Sequence, residues 1–318
     1  MTADRKKSGP AKSKTDKKPG KKSPVKKSIS KKTQAKAVKP SARNKEFTIG
    51  VFDSGFGGLT VLRALLPLAP GARYVYLGDT ARLPYGSKSR ETIARYATIS
   101  AKMLESRGAD LLVIACNTAS ALALDVLEAT AKVPVIGVVQ PGAKAARAAS
   151  ETGDVIVLAT SATVESGAYA RACATVGLRS VEKACPLLVP LVEEGWIDHA
   201  VTQEVLRIYL MEALALAHTG ALNPDVVLLG CTHYPLLRDL IGQTAGRLER
   251  QRFMHVIDSA QATAERVAKK LPKRVLTGDT QETKIEFLAT DSIEKFRSIG
   301  SRFLGREIAA VEHVDLGE

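Results

Sequence analysis

The chain has 318 residues, 45% of them hydrophobic, which is enough for two domains of ordinary size. Its formal charge of +13 invites a nucleic-acid reading, but 17 of the 46 Lys and Arg lie in residues 1–45 beside only two acids. The remainder holds two more acids than bases, so the basicity belongs to the tail and does not describe the body of the molecule.

Residues 1–45 repeat Lys-Lys-Ser and Lys-Lys-Pro themes with almost no large apolar side chain, the composition of a disordered segment. They have no apolar stretch of the kind a secretory signal needs. No run further on is long and apolar enough to span a membrane. The expected location is cytoplasmic, where the four cysteines stay as free thiols.

Composition changes at Phe47. The segment 47–53, FTIGVFD, reads as a buried strand, followed by a Gly-rich turn over 54–58 and a helix from Leu59. A second strand is expected over 73–77, a helix over 89–107, and strands over 110–115 and 133–138. A second alternating set follows: strand 154–158, helix 162–176, a long helix over 198–217, strand 225–229, then strand 255–258 with a helix after it. Strand–helix alternation of this kind gives parallel sheets covered by helices. The expected fold is α/β: two similar doubly wound parallel-sheet lobes facing each other across a cleft. The first lobe is assigned residues 46–138 plus 253–318, and the second 139–252.

One internal echo sharpens this picture. DLLVIACNTA at 110–119 and DVVLLGCTHY at 225–234 share an Asp, an apolar strand, a small residue, a Cys and then polar residues with Thr. Cys116 and Cys231 thus fall just past buried strands, where open α/β sheets gather their ligands. A helix N-terminus after each would favour a thiolate. Cys173, within a helical stretch, and Cys185, before Pro186, read as packing.

A single Cys with a nearby His, such as Cys231 with His233, fits a nucleophile. That mechanism leaves Cys116 unused. Inversion at a carbon needs a base on one face and an acid on the other, and two facing thiols can be both. Asp53 and Ser54 end the first strand and open the DSGFGG turn, which matches neither dinucleotide nor phosphate-loop fingerprints. Pro84, Tyr85, Gly86 and Ser87 form a turn signal after the second strand.

The segments GVFDSGFGGLTVL (50–62), YLGDTARLPYGSKS (76–89), IACNTAS (114–120), GVVQPGA (137–143), ATSATVESGAY (159–169), CPLLVPLVEEG (185–195) and LLGCTHYPLL (228–237) resemble the glutamate racemases of the aspartate/glutamate racemase superfamily. The resemblance implies cofactor-independent interconversion of L- and D-glutamate for peptidoglycan synthesis, with Cys116 and Cys231 as proton donor and acceptor. It also implies substrate contacts from Asp53, Ser54, Tyr85, Gly86, Asn117, Thr118, Thr232 and His233, and auxiliary roles in thiol ionisation for Asp53, Glu193 and His233. No cofactor and no metal are expected. The expected partners are glutamate and a second copy of the chain in a homodimer, with a weak nucleic-acid or anionic-surface contact through residues 1–45. The competing readings are an aspartate racemase or related thiol racemase, a regulator that only binds, and a pyridoxal-phosphate racemase. The last would need a Schiff-base Lys and a phosphate cup, for which the sequence offers no persuasive candidate.

Overall fold

The structure is a computed structural model that describes residues 46–249, 253–278, 280 and 282–317. The Lys-rich segment 1–45 lies outside the described residues, and with it the expectation of disorder there.

The first half of the fold runs β1 (Thr48–Asp53), α1 (Leu59–Leu65), β2 (Arg73–Gly78), α2 (Arg90–Ser106), β3 (Leu111–Ile114), α3 (Asn117–Leu122), α4 (Leu124–Thr130), β4 (Val135–Gly137) and α5 (Val139–Ala149). The second runs β5 (Asp154–Ala159), α6 (Ser161–Glu165), α7 (Ala168–Thr175), β6 (Arg179–Ala184), α8 (Leu188–Glu193), α9 (Ala200–Thr219), β7 (Val226–Gly230), α10 (Arg238–Leu248), β8 (His255–Asp258) and α11 (Ser259–Ala268). The chain closes with β9 (Ile285–Ala289), α12 (Ile293–Leu304) and β10 (Glu312–His313).

All strand pairs are parallel. One sheet has the order β10-β9-β2-β1-β3-β4 and the other β6-β5-β7-β8. The second order repeats the β2-β1-β3-β4 part of the first, strand for strand. The ten-residue echo is therefore the visible part of a longer correspondence in which β3 and β7 occupy equivalent places. The Asp that opens each echo does the same job in both lobes. Asp110 accepts from the backbone N–H of Thr48 at the start of β1. Asp225 accepts from Ser150, Glu151 and Thr152, just ahead of β5.

The lobe boundary differs from the one expected. His255–Asp258 was assigned to the first lobe, yet β8 pairs with β7 and completes the second sheet as the counterpart of β4. Its short, half-exposed sequence carries no signal of which sheet it joins. Three further differences concern local sequence. The helix expected over 162–176 is broken into α6 and α7 at Gly167, whose φ of +62° ends one helical path and starts another. β6 was not foreseen, because RSVEKA is an edge strand with little to bury. α5, α8, β9, α12 and β10 are further elements outside the expected set.

Central strands β1, β5 and β7 are fully buried, as their near-continuous apolar sequences require in parallel sheets covered on both faces. Phe52, Val75, Leu112 and Ile114 pack under α2 and α4. Ile49, Val51, Tyr74 and Tyr76, from the opposite face, join Ile156, Leu158, Val227 and Leu229 of the other sheet in one apolar core with α1, α9 and α12. The two lobes are thus joined by a shared core. Among the described residues, no helix is long and apolar enough to cross a membrane.

Candidate active site

In a doubly wound sheet, loops leaving neighbouring strands in opposite directions open a crevice at the carboxyl ends. Here β1 and β3 part in this way in the first lobe, and β5 and β7 in the second. The four loops leaving them begin at Asp53, Cys116, Thr160 and Cys231. A cavity of about 860 Å³ is lined by residues of all four loops, by the turn after β2, by α8 and by Lys295 of α12. A second hollow, about 830 Å³, runs along α10 and β8 and contains no cysteine.

Cys116 and Cys231 both line the first cavity. Ser54, Tyr85, Gly86, Asn117, Thr118, Glu193, Thr232 and His233, to which the resemblance assigns substrate or auxiliary roles, line it too. Asp53 is fully buried and lies behind this wall instead of on it.

The two thiols have different surroundings. Cys116 caps α3, its Sγ accepting from the backbone N–H of Ala119 at 3.4 Å, and Ser54 Oγ lies 3.6 Å away. Burial, and then the Asp53 carboxylate, push its pKa up to about 12 against these two contacts. Asp53 itself is raised above the ordinary 3.8 by burial, opposed by His233 and by the backbone of Gly55 and Gly58. Its Oδ2 accepts from Gly55 N–H at 2.9 Å, while Oδ1 has no protein partner.

After Cys231 the chain makes a 3-10 turn, Tyr234–Leu237, and α10 begins only at Arg238. The α-helix N-terminus expected directly after Cys231 is absent, and a 3-10 turn with Pro235 in its first positions stands there instead. His233 takes the place of that N-terminus. Its Nδ1 lies 3.9 Å from Cys231 Sγ and its Nε2 3.1 Å from Glu193 Oε1. Burial opposes a charge on this imidazole, but hydrogen bonding to Cys231 and Glu193 outweighs it and lifts the pKa to about 10. One thiol therefore stands near a buried carboxylate, and the other beside an imidazole whose pKa is raised.

Polar groups suited to an amino acid surround the pair. Tyr169 Oη donates to Asn117 Oδ1 at 2.5 Å, which leaves the buried Asn117 Nδ2 without a protein acceptor. Thr118, Thr160 and Thr163 form a triangle of hydroxyls with Oγ1 separations of 2.9 to 3.3 Å. Tyr85 turns its hydroxyl away from the cavity, donating to Asp79 Oδ2 at 2.6 Å, and Thr290 donates to the other oxygen at 3.0 Å. The Tyr85 hydroxyl proton is thus committed to Asp79. Gly86 lies so close to the second lobe that a Cβ would stand 3.1 Å from Thr160 Cβ.

Sequence reasoning missed Asp79, Thr160, Thr163 and Tyr169. All four sit in segments that carried the resemblance, Asp79 in 76–89 and Thr160, Thr163 and Tyr169 in 159–169; placement just after β2 and β5 was the signal available for Asp79 and Thr160. Cys173 is buried against α7 and β6 neighbours, as expected of a packing residue. Cys185, also buried, has its carbonyl bound by Tyr234 Oη at 2.9 Å.

The Asp/Glu/hydantoin racemase family model matches residues 49–267. A glutamate racemase of Koribacter versatilis is 51% identical over 291 aligned residues, covering 85% of this chain and 97% of that protein. The crystal structure of Thermus thermophilus glutamate racemase in complex with beta-chloro-D-alanine is 42% identical with a TM-score of 0.73. That of Francisella tularensis glutamate racemase in complex with D-glutamate is 34% identical with a TM-score of 0.75. Each alignment covers 85% of this chain and 98% of the other.

Proposed function

We infer, since the chain belongs to the Asp/Glu/hydantoin racemase family, that it interconverts L- and D-glutamate by proton transfer between Cα and the thiols of Cys116 and Cys231. The observation that carries this reading is the placement of these two cysteines: each follows closely on the third strand of its lobe, and both line one cavity. The relatives of known structure and similar sequence are glutamate racemases, one of them with D-glutamate bound.

The Cα–H bond of an amino acid is a very weak acid. Removing its proton needs a thiolate placed against it and donors aimed at the charge that develops on the carboxylate. Asn117 Nδ2, the hydroxyls of Thr118 and Thr232 and the cationic His233 are such donors here. One thiolate takes the proton and becomes a thiol. The opposite thiol gives its proton to the other face of the same carbon and becomes a thiolate. The product is the enantiomer, and the two sulfurs have exchanged protonation states. The protein is then ready for the reverse reaction, so each thiol serves one direction. Asp53 behind Cys116, and Glu193 with His233 beside Cys231, are proposed to adjust these two ionisations. The role proposed for the D-glutamate is peptidoglycan synthesis, in the cytoplasm.

The test is racemisation of L-glutamate in D₂O. The expected result is loss of optical activity, with one deuterium at Cα of the product. An optically stable L-glutamate solution would end this reading.

For residues 1–45 we propose a charge-driven contact with nucleic acid or another anionic surface, supported by their Lys content. Deleting them is expected to leave turnover unchanged and to abolish a DNA mobility shift seen at low salt. A shift that survives high salt, or a truncated protein that folds but is inactive, would contradict this assignment. The homodimer is proposed without a surface assigned to it.

A further inference from the structure

We propose that Lys295, at the start of α12, is a positioning residue that holds the Glu193–His233 pair in place beside Cys231. The proposal rests on the reading of Cys231 as one of the two proton-transfer groups.

α12 belongs to the segment after the second lobe, yet it grips that lobe at the site. Lys295 Nζ lies 3.9 Å from Glu193 Oε2, while the other oxygen of the same carboxylate meets His233 Nε2 at 3.1 Å. Along this line the groups alternate in sign, from the Lys295 ammonium through the Glu193 carboxylate and the His233 imidazolium to the sulfur of Cys231. Each member orients the next, and only the last two are deep in the site. Further along α12, Arg302 Nη1 donates to the backbone oxygens of Val192 and Glu193 at 3.3 and 3.4 Å. Phe303 sets its ring edge to face with His233 at 5.1 Å between centroids. Three side chains of one helix therefore bear on the Glu193–His233 pair: the Arg302 cation meets the backbone of α8, and Lys295 is the one within ion-pair distance of the Glu193 carboxylate.

The Lys295 side chain is half exposed, so its effect is screened and modest. Other ionisable groups that bear on His233, Glu193 and Cys231 are Arg302 on α12, Asp53 at the end of β1, Cys185 after β6, Tyr169 on α7 and Tyr234. None is altered by a substitution at 295.

The experiment compares wild type with Lys295→Met and Lys295→Arg in two measurements. The first is the rate of Cys231 alkylation by iodoacetamide against pH, read peptide by peptide by mass spectrometry. The second is kcat and KM for glutamate. Lys295→Met is expected to slow alkylation of Cys231 near neutral pH and to lower kcat by about two- to five-fold, the size of a half-exposed ion pair. The Cys116 alkylation profile and KM should stay as in wild type, and Lys295→Arg should restore both readouts. Unchanged alkylation and kcat in Lys295→Met would overturn the proposal. So would a rise in KM alone, which would make Lys295 a substrate contact, or a failure of Lys295→Arg to restore. Wild type that does not racemise glutamate would instead end the glutamate reading, and the alkylation comparison would still decide what Lys295 does.

Discussion

Gly57 presses its bare Cα against the imidazole of His233: a Cβ at this position would stand 2.6 Å from Nδ1, and 2.1 Å from Thr232 Oγ1. The Gly-rich turn after β1 thus serves the meeting of two lobes. The Thr60 hydroxyl, one turn on, adds a hydrogen bond to the Thr232 carbonyl at 3.2 Å. Gly57→Ala must push Thr232 and His233 aside, because both are buried and have little room to move. Turnover should fall by about a hundred-fold, the usual penalty for misplacing a reacting group by an ångström. Circular dichroism should still report a folded protein. Wild-type turnover in Gly57→Ala would show that the 231–233 loop shifts without consequence.

If each thiol serves one direction, neither can be spared. Cys116→Ala and Cys231→Ala are each expected to lose at least about 10³-fold in racemisation, within the range of general acid–base catalysis. Cys173→Ala should keep its turnover and lose about 1 kcal/mol of stability, as befits a small buried side chain. Steady-state assays with both enantiomers and thermal melts separate the two classes. A Cys231→Ala enzyme with near-normal racemisation would remove the second thiol from the mechanism.

Asp53 is expected to trade stability for activity. Its folded-state pKa is raised, so the folded protein holds this proton more tightly than the unfolded chain does. The penalty is absent below the ordinary carboxyl pKa of 3.8 and grows as pH rises from there through the raised folded value. Asp53→Asn removes a charge buried with one oxygen unpartnered. Near pH 7 its Tm should exceed that of wild type by a few degrees, and the gap should vanish toward pH 3. Turnover should fall about ten-fold or more, with KM little changed, if the carboxylate assists Cys116. A Tm equal to wild type at pH 7 would mean that the charge is compensated.

How much of this was legible from the sequence depends on the kind of signal. Buried strands such as DLLVIA and DVVLL announce themselves by apolar runs, and their ends located Cys116 and Cys231. The assignment of β8 to the second sheet was not legible. Four residues, HVID, pair equally well with any parallel neighbour, and only the sheet order decides. The contribution of α12 to the site was hidden for a similar reason. Lys295 and Phe303 lie more than sixty residues from His233, and no periodicity connects them. Tyr85 was placed in the cavity, yet its hydroxyl faces Asp79, since hydrogen-bond direction is settled by tertiary neighbours.

The pH dependence of His233 offers the last test. Its pKa of about 10 is sustained by the hydrogen bonds to Cys231 and Glu193 against the cost of burial. A raised imidazole pKa contributes stability that is full below the ordinary value of 6.5 and is lost as pH rises through about 10. Glu193→Gln keeps the shape of the side chain and removes its charge, so His233 should release its proton about one unit lower or more. The alkaline limb of the kcat profile should move to lower pH by a similar amount. The Tm deficit of Glu193→Gln relative to wild type should be clear at pH 7 and close as pH approaches 10, because above that point neither protein holds the proton. Nitrogen-15 chemical shifts of the His233 ring, followed through the titration, report the protonation state directly. An alkaline limb that stays in place while those shifts move would show that His233 ionises without governing turnover, and would leave the limb to Cys116, the thiol that burial and Asp53 hold at about 12.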